Sequence, residues 1–281
     1  MGQQPRVAYQ GEPGAFSEEA ALAFFSEPLA FNVPTWRSLF EAVRDGVADA
    51  GVIAIENSLG GTIRETYDLL YEFDLRIVGE VAVSIRLALL ALPGQTLDEI
   101  ERVYSHPQAL AQADEFLRTR SWTVTTTYNT AGAARAIAES GDRGAAAVAA
   151  SRVAGLYGLT ILAADIQSGD GNRTRFAVLA RGDLLPGWAR PRPAGPPRTT
   201  LVFATRNVPG SLHRCLGAFA SRDINLSRLE SRPSRAQRWE YVFWVDADAA
   251  VDDPACAAAL DALRDEAAMV RVLGSYPAAE T

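Results

Sequence analysis

The chain contains no lysine: all 27 of its basic residues are arginine. Schiff-base catalysis, a pyridoxal phosphate anchor and a P-loop each need a side-chain amine, so those classes are excluded. Anions must be held by guanidinium groups, backbone N–H groups or helix ends. Cysteine is almost as scarce. Cys215 and Cys256 lack ligand spacing, fall in segments that read as amphipathic helices, and are expected as small core residues, with no zinc site and no disulfide framework. The longest apolar run, near Leu87 to Leu92, is too short to span a bilayer. The first residues, Met1-Gly2-Gln3-Gln4-Pro5, lead into a strand without a charged region or an apolar signal core, so a cytoplasmic protein is expected. A formal net charge of -7 argues against nucleic acid or an anionic membrane as the main partner.

What is present suits a large, well-buried fold. With 281 residues and 48% hydrophobic residues, the chain is consistent with two domains. Strands are expected at 6–9, 31–33, 50–55, 102–104, 122–128, 145–149 and 160–166, and helices at 18–25, 38–44, 63–71, 96–101, 107–119 and 130–139. Ser17 reads as the N-cap of the first helix, and Ser151 as the cap of a short helix ending near Gly155. This β-α alternation predicts a mainly parallel sheet architecture. The β-rich stretch 77–92, ended by Pro93-Gly94, reads as one or two strands crossing between two lobes, with a cleft between them.

Polar groups cluster at the strand ends. Gly169-Asp170-Gly171 precedes Asn172-Arg173-Thr174-Arg175-Phe176 and an apolar run, which reads as a glycine-flanked turn entering a strand. A hydroxyl, an amide and two guanidinium groups at that entrance form a candidate anion and leaving-group site; solvated residues on an edge strand are the alternative. Asn57 and Ser58 follow the third strand, where open α/β sheets place ligands. An Asx turn with helix capping explains them equally well. Ser105-His106-Pro107-Gln108 opens a helix that puts Gln108 and Gln112 on one face. His106 invites a general-base role, but no nucleophile and acidic partner are arranged around it, so it is left out of the chemistry. Glu12 departs from a phosphate-binding loop in the first glycine turn.

The segment 185–198 is rich in proline and glycine and reads as a linker between a domain at 1–184 and a second at 199–281. Beyond it the order strand 199–205, helix 210–221, strands 224–230 and 239–246, helix 253–266 and strand 269–273 is the ferredoxin-like βαββαβ unit.

These residues together resemble a bacterial prephenate dehydratase with a C-terminal ACT regulatory domain. The resemblance rests on 11–17, on Ile55-Glu56-Asn57-Ser58, on Ser105-His106-Pro107-Gln108 with Gln112, on Thr174-Arg175-Phe176, and on Glu230-Ser231-Arg232-Pro233, in that order around one linker. It implies a two-lobed catalytic domain like a periplasmic binding protein, an ACT domain, and conversion of prephenate to phenylpyruvate with loss of carbon dioxide and water, without a cofactor. Carried over, Thr174 matches the family's catalytic threonine, while Asn57, Ser105 and Gln112 match polar groups lining its cleft. Arg175 is the expected carboxylate anchor, with Ser58 and Phe176 also on the substrate, and Glu56 reads as structural. Asn207, Pro209, Gly210, Ser211 and Leu212, with Glu230, Ser231, Arg232 and Pro233, match the two effector-loop motifs for L-phenylalanine. The family more often has alanine in place of Ser211. A homodimer or homotetramer is implied. Arogenate dehydratase and a non-catalytic amino-acid-binding regulator are the rival readings.

Overall fold

The computed structural model describes residues 4–169, 171–182, 195–233 and 241–279. Asp170 of the glycine turn, most of the linker and the expected start of a strand at Trp239 lie outside these residues. The first lobe is built from β1 (Arg6–Gln10), α1 (Phe16–Phe24), β2 (Leu29–Val33), α2 (Trp36–Arg44), β3 (Ala50–Asn57), β4 (Gly61–Thr62), α3 (Arg64–Glu72) and β5 (Arg76–Ser84). The second holds β6 (Leu87–Ala91), a 3-10 turn at Leu97–Glu99, β7 (Arg102–Ser105), α4 (Pro107–Gln112), α5 (Asp114–Leu117), β8 (Thr123–Thr126), α6 (Thr130–Ser140), β9 (Ala145–Ala150), α7 (Arg152–Tyr157) and β10 (Thr160–Ala163). The chain then returns to the first lobe as β11 (Arg173–Ala180).

The first sheet runs β2-β1-β3-β11-β5, with β4 on β3, and the second runs β10-β6-β9-β7-β8. Neither is mainly parallel, which corrects the sequence expectation. β1 is parallel to β2 and β3, as helix crossovers require, but β11 comes back from the other lobe and lies antiparallel to both β3 and β5. In the second lobe β7 is parallel to β8 and β9, while β6 is antiparallel to β9 and β10. The two crossings run side by side: the Ile85 N–H donates to the Asn172 carbonyl at 2.8 Å, and the Ile166 N–H to the Leu87 carbonyl at 2.9 Å.

Several local expectations shift. Ser17 lies inside α1, whose N-cap is Ala15, and its hydroxyl donates to the Gln10 carbonyl. The helix expected over 107–119 breaks at Ala113 into α4 and α5. The one expected over 96–101 is only the 3-10 turn, and Ser151 caps α7 without a side-chain bond. β9, AAAVAA, is fully buried, and its small residues let α6 pack through Ala131 and Ala134.

The C-terminal unit is β12 (Pro197–Thr205), α8 (Ser211–Ala220), β13 (Leu226–Pro233), β14 (Tyr241–Ala247), α9 (Pro254–Glu266) and β15 (Ala267–Pro277), with sheet order β13-β14-β12-β15. Its helices cover one face, where Cys215 and Cys256 are buried as core residues beside Phe203, Phe219 and Leu260. The other face is not free: Val202, Trp244 and Leu273 share a core with Tyr67, Leu70 and Ile77 of the first lobe. Tyr67 meets Trp244 edge to face at 4.8 Å. A Cβ at position 274 would stand 1.9 Å from the Ile77 carbonyl oxygen, so this close approach requires Gly274.

Candidate active site

The two lobes enclose a cleft of about 320 Å³, toward the small end of ligand pockets. The first lobe places Asn57 at the end of β3 beside Thr174 at the start of β11, and the second faces them with Gln108 and Gln112 of α4. Side chains alternate along a strand, so Thr174 and Phe176 line the cleft while Arg175 does not. Phe16, Ile63, Ile85 and Leu87 add apolar wall.

Asn57 is the hub. Its amide orientation follows from two backbone donors: the N–H groups of Leu59 and Gly60 point at Oδ1 from 3.1 and 2.7 Å. Nδ2 must then be the donor side, and it reaches Thr174 Oγ1 at 3.0 Å, Asn172 Oδ1 at 2.8 Å and the Arg173 carbonyl at 3.1 Å. The threonine oxygen therefore accepts a hydrogen bond from the protein, which leaves its own O–H free to donate into the cleft. From the opposite lobe Gln108 and Gln112 reach Asn57 Oδ1 through Nε2 at 3.4 and 3.3 Å. A Cβ on Gly60 would stand 2.1 Å from Gln108 Nε2, so this cross-lobe contact depends on a glycine there.

Among the described residues that line the cleft, none is an arginine, an aspartate or a glutamate. Helix starts from both lobes open on it instead, and their unpaired N–H groups are what the backbone offers an anion. Ala15, Phe16 and Ser17 at the start of α1, and Asn129 and Thr130 at the start of α6, open on the cleft. Glu12 sits just outside and ties the lobes: it accepts from the Tyr128 hydroxyl at 2.6 Å and pairs with Arg135 at 2.5 Å. A Glu18–Arg152 pair and the Tyr157 hydroxyl on the Pro13 carbonyl add to this seam.

His106 lines the cleft as the N-cap of α4, its Nδ1 accepting from the Gln108 N–H at 3.2 Å. Burial holds its pKa below the ordinary value, which favours the neutral ring at pH 7; with Nδ1 accepting, the ring's remaining N–H is on Nε2. Because the folded state disfavours the imidazolium, the associated stability is complete above about pH 6.5 and is lost as pH falls through the lower folded value. Melting temperatures measured from pH 8 to 5 are expected to decline across this window, and His106→Asn, which keeps a capping acceptor, should flatten the decline.

Three expected site residues lie elsewhere. Arg175 faces the C-terminal domain, with Asp246 at 2.7 Å, Glu56 at 3.2 Å and Glu80 at 3.7 Å. Burial alone would lower its pKa, but Asp246 and Glu80 outweigh that and raise it. With three carboxylates already around it, it does not anchor one from the cleft. Ser105 is buried with its hydroxyl donated to the Val148 carbonyl at 2.6 Å, and it does not line the cleft. Ser58 closes the turn, donating to the Gly171 carbonyl and accepting from the Arg173 N–H. Gln10, Trp36, Tyr128, Asn129 and Thr130 also line the cleft and were not singled out in the sequence; for the last three the helix start at Asn129 was the available signal.

The effector motifs separate as well. Asn207, Gly210, Ser211 and Leu212 line a second cavity of about 250 Å³ at the start of α8, whereas Pro209 does not line it. Glu230 and Arg232 face the first lobe: Glu230 accepts from Thr62, and Arg232 pairs with Asp68 at 3.0 Å. β13 alternates between half-buried and exposed positions, which leaves Ser231 and Pro233 on its outer side.

Residues 7–183 match the prephenate dehydratase family and residues 199–265 the ACT domain. Arogenate dehydratase/prephenate dehydratase 2 of Arabidopsis thaliana, a chloroplastic protein, is 42% identical over 98% of this chain and 74% of its own length. The crystal structure of a prephenate dehydratase from Arthrobacter aurescens in complex with L-Phe superposes with a TM-score of 0.86 at 34% identity, covering 97% of this chain and 90% of that one. GqqA, described as a novel type of quorum quenching acylase, gives the same TM-score of 0.86 at 35% identity, over 97% of this chain and 98% of its own. The chain belongs to the prephenate dehydratase family and carries an ACT domain after the catalytic part.

Proposed function

We propose that the cleft converts prephenate to phenylpyruvate, and the observation that carries this is the free O–H of Thr174, whose oxygen is pinned by Asn57. The bond from the ring to its carboxylate breaks, its electron pair enters the ring, and the hydroxyl on the far side leaves. The carboxylate departs as carbon dioxide, and the leaving hydroxide becomes water with one proton taken, in net, from solvent. Aromatisation drives the step, so the protein needs to position the substrate and stabilise the leaving oxygen. Thr174 donates to that oxygen, the starts of α1 and α6 with the glutamine amides hold the dianion, and the apolar wall of Phe176, Ile63 and Ile85 leaves the departing carboxylate poorly solvated.

The test is a product assay for phenylpyruvate with the purified chain, run beside arogenate. A higher kcat/KM on prephenate is expected, because arogenate carries an ammonium group and none of the described lining residues is a carboxylate that would pair with it. No product from either substrate would favour a non-catalytic binding protein. Covalent acyl transfer fits the cleft less well, since the Thr174 oxygen faces an amide donor rather than a general base.

The reading extends to a cytoplasmic homo-oligomer, a dimer or tetramer, regulated by L-phenylalanine. β13 is an edge strand with Leu229 exposed, a ready surface for a second copy, and light scattering reports the assembly. Phenylalanine is expected to bind at the start of α8. If it changes affinity for a non-reacting prephenate analogue, linkage requires the analogue to change phenylalanine affinity by the same factor, with typical couplings of about 1–3 kcal/mol. Calorimetric titration of the intact chain, with and without the analogue, measures both; no heat with phenylalanine would remove the regulatory part of the reading.

A further inference from the structure

We propose that Asp246, on the sheet of the C-terminal domain, is a positioning residue for Thr174 and acts through Arg175. This rests on the reading of Thr174 given above and extends the catalytic site across the domain boundary.

Thr174 and Arg175 are successive residues of β11, so what fixes one side chain on the outer face of the strand limits how the other is presented on the inner face. Arg175 is held by Asp246 at 2.7 Å, and both side chains are nearly buried. Asp246 is itself fixed: its Oδ1 accepts from the Thr200 hydroxyl at 2.7 Å, and Thr200 meets the Tyr276 hydroxyl at 2.6 Å. Behind Arg175 stands Glu80, fully buried and paired through both oxygens with Arg198 at 3.0 and 3.1 Å. The buried core of the cluster is therefore two guanidinium groups and two carboxylates, with one of each sign supplied by each domain.

The strand needs such an anchor at this point. The β11–β3 register skips a residue between Arg175, opposite Glu56, and Phe176, opposite Ala54. Ile55 is the extra residue of a bulge, and its carbonyl is used by the Ile63 N–H. A bulge interrupts the regular ladder and re-aims neighbouring side chains. Thr174 stands beside that interruption, and Arg175 is where the C-terminal domain grips it. Asp246 is the shortest of the three carboxylate contacts of Arg175; without its charge the guanidinium keeps Glu56 at 3.2 Å and Glu80 at 3.7 Å, both from its own domain, and loses its grip on the C-terminal sheet, which frees β11 to shift toward Glu56.

The test uses the full-length protein and steady-state kinetics on prephenate. Asp246→Asn is expected to lower kcat about tenfold or more with KM within about threefold, the split expected when transition-state alignment is lost. In the Thr174→Ala background the same change should cost less than about twofold, because the two positions act as one unit. Arg271→Ala serves as the control. It cuts other contacts across the same interface, the hydrogen bonds to the Tyr71 and Phe73 carbonyls, and should leave kcat within about twofold. Should Asp246→Asn fail to fold, Asp246→Glu keeps the charge and displaces it by one methylene, and an intermediate kcat loss at constant KM is expected. Normal kcat in the Asp246 variants, an undiminished loss in the Thr174→Ala background, or an equal loss in Arg271→Ala would overturn the proposal. Near-normal kcat in Thr174→Ala alone would instead sink the reading of Thr174 on which it rests.

Discussion

Thr174→Ala is expected to lower kcat by at least about a hundredfold while KM changes by no more than a few-fold. The hydroxyl oxygen accepts from Asn57 Nδ2, so its proton is directed into the cleft before substrate arrives. In the ground state the substrate hydroxyl is neutral and this bond adds little. As the carbon–oxygen bond breaks, the leaving oxygen gains charge, and the bond strengthens because its donor is already oriented by the protein. A loss of about 2.7 kcal/mol in the transition state corresponds to the hundredfold effect. Thr174→Ser keeps the hydroxyl and should recover much of the rate. Equal kcat in the alanine variant and the parent would remove threonine from the chemistry.

How far the site could be read from the sequence follows from the length scale of each feature. The βαββαβ unit was legible because its elements follow one another with clear turn signals inside one continuous segment, even though β12 pairs with β15 at the far end of it. The mixed sheets of the catalytic part were not, since β11 enters between β3 and β5 only after the chain has built a whole second lobe. Asn57, Gln112 and Thr174, each singled out by its motif, meet in the cleft from distant segments.

Arg175 failed for a simple reason. A guanidinium beside a motif threonine suggests an anion site, but period-two alternation sends it to the opposite face, and what waits there is a carboxylate 71 residues away. Ser105 failed because its neighbour in space, the Val148 carbonyl, belongs to a strand that the sequence does not link to it. The helix starts that stand in the cleft in place of arginine were legible as caps, Asn129 for one, but nothing in the sequence says that α1 and α6 point into one cleft from two lobes.

Asn57→Asp should be as damaging as loss of the threonine, by a different route. The replacement is nearly isosteric, and the introduced carboxylate still satisfies the Leu59 and Gly60 N–H groups. It cannot donate, so the bond to Thr174 reverses: the threonine O–H now serves the carboxylate, and the leaving hydroxyl loses its donor. A negative charge also appears in a cleft that holds a dianion with neutral groups and helix ends. A fall in kcat of about a hundredfold is therefore expected together with a raised KM, which separates this variant from Thr174→Ala. The sign of the pH dependence follows. The Leu59 and Gly60 N–H groups favour the ionised form, while burial and the nearby substrate charges oppose it; whatever the balance, lowering the pH moves the introduced carboxyl toward neutrality, which restores a donor and relieves the repulsion. The ratio of variant to parent kcat/KM should accordingly rise as pH falls from 8 to 5, while Thr174→Ala shows no such trend. An Asn57→Asp protein with kcat within about tenfold of the parent at neutral pH, or a ratio flat with pH, would mean that the amide does not set the direction of the threonine hydrogen bond.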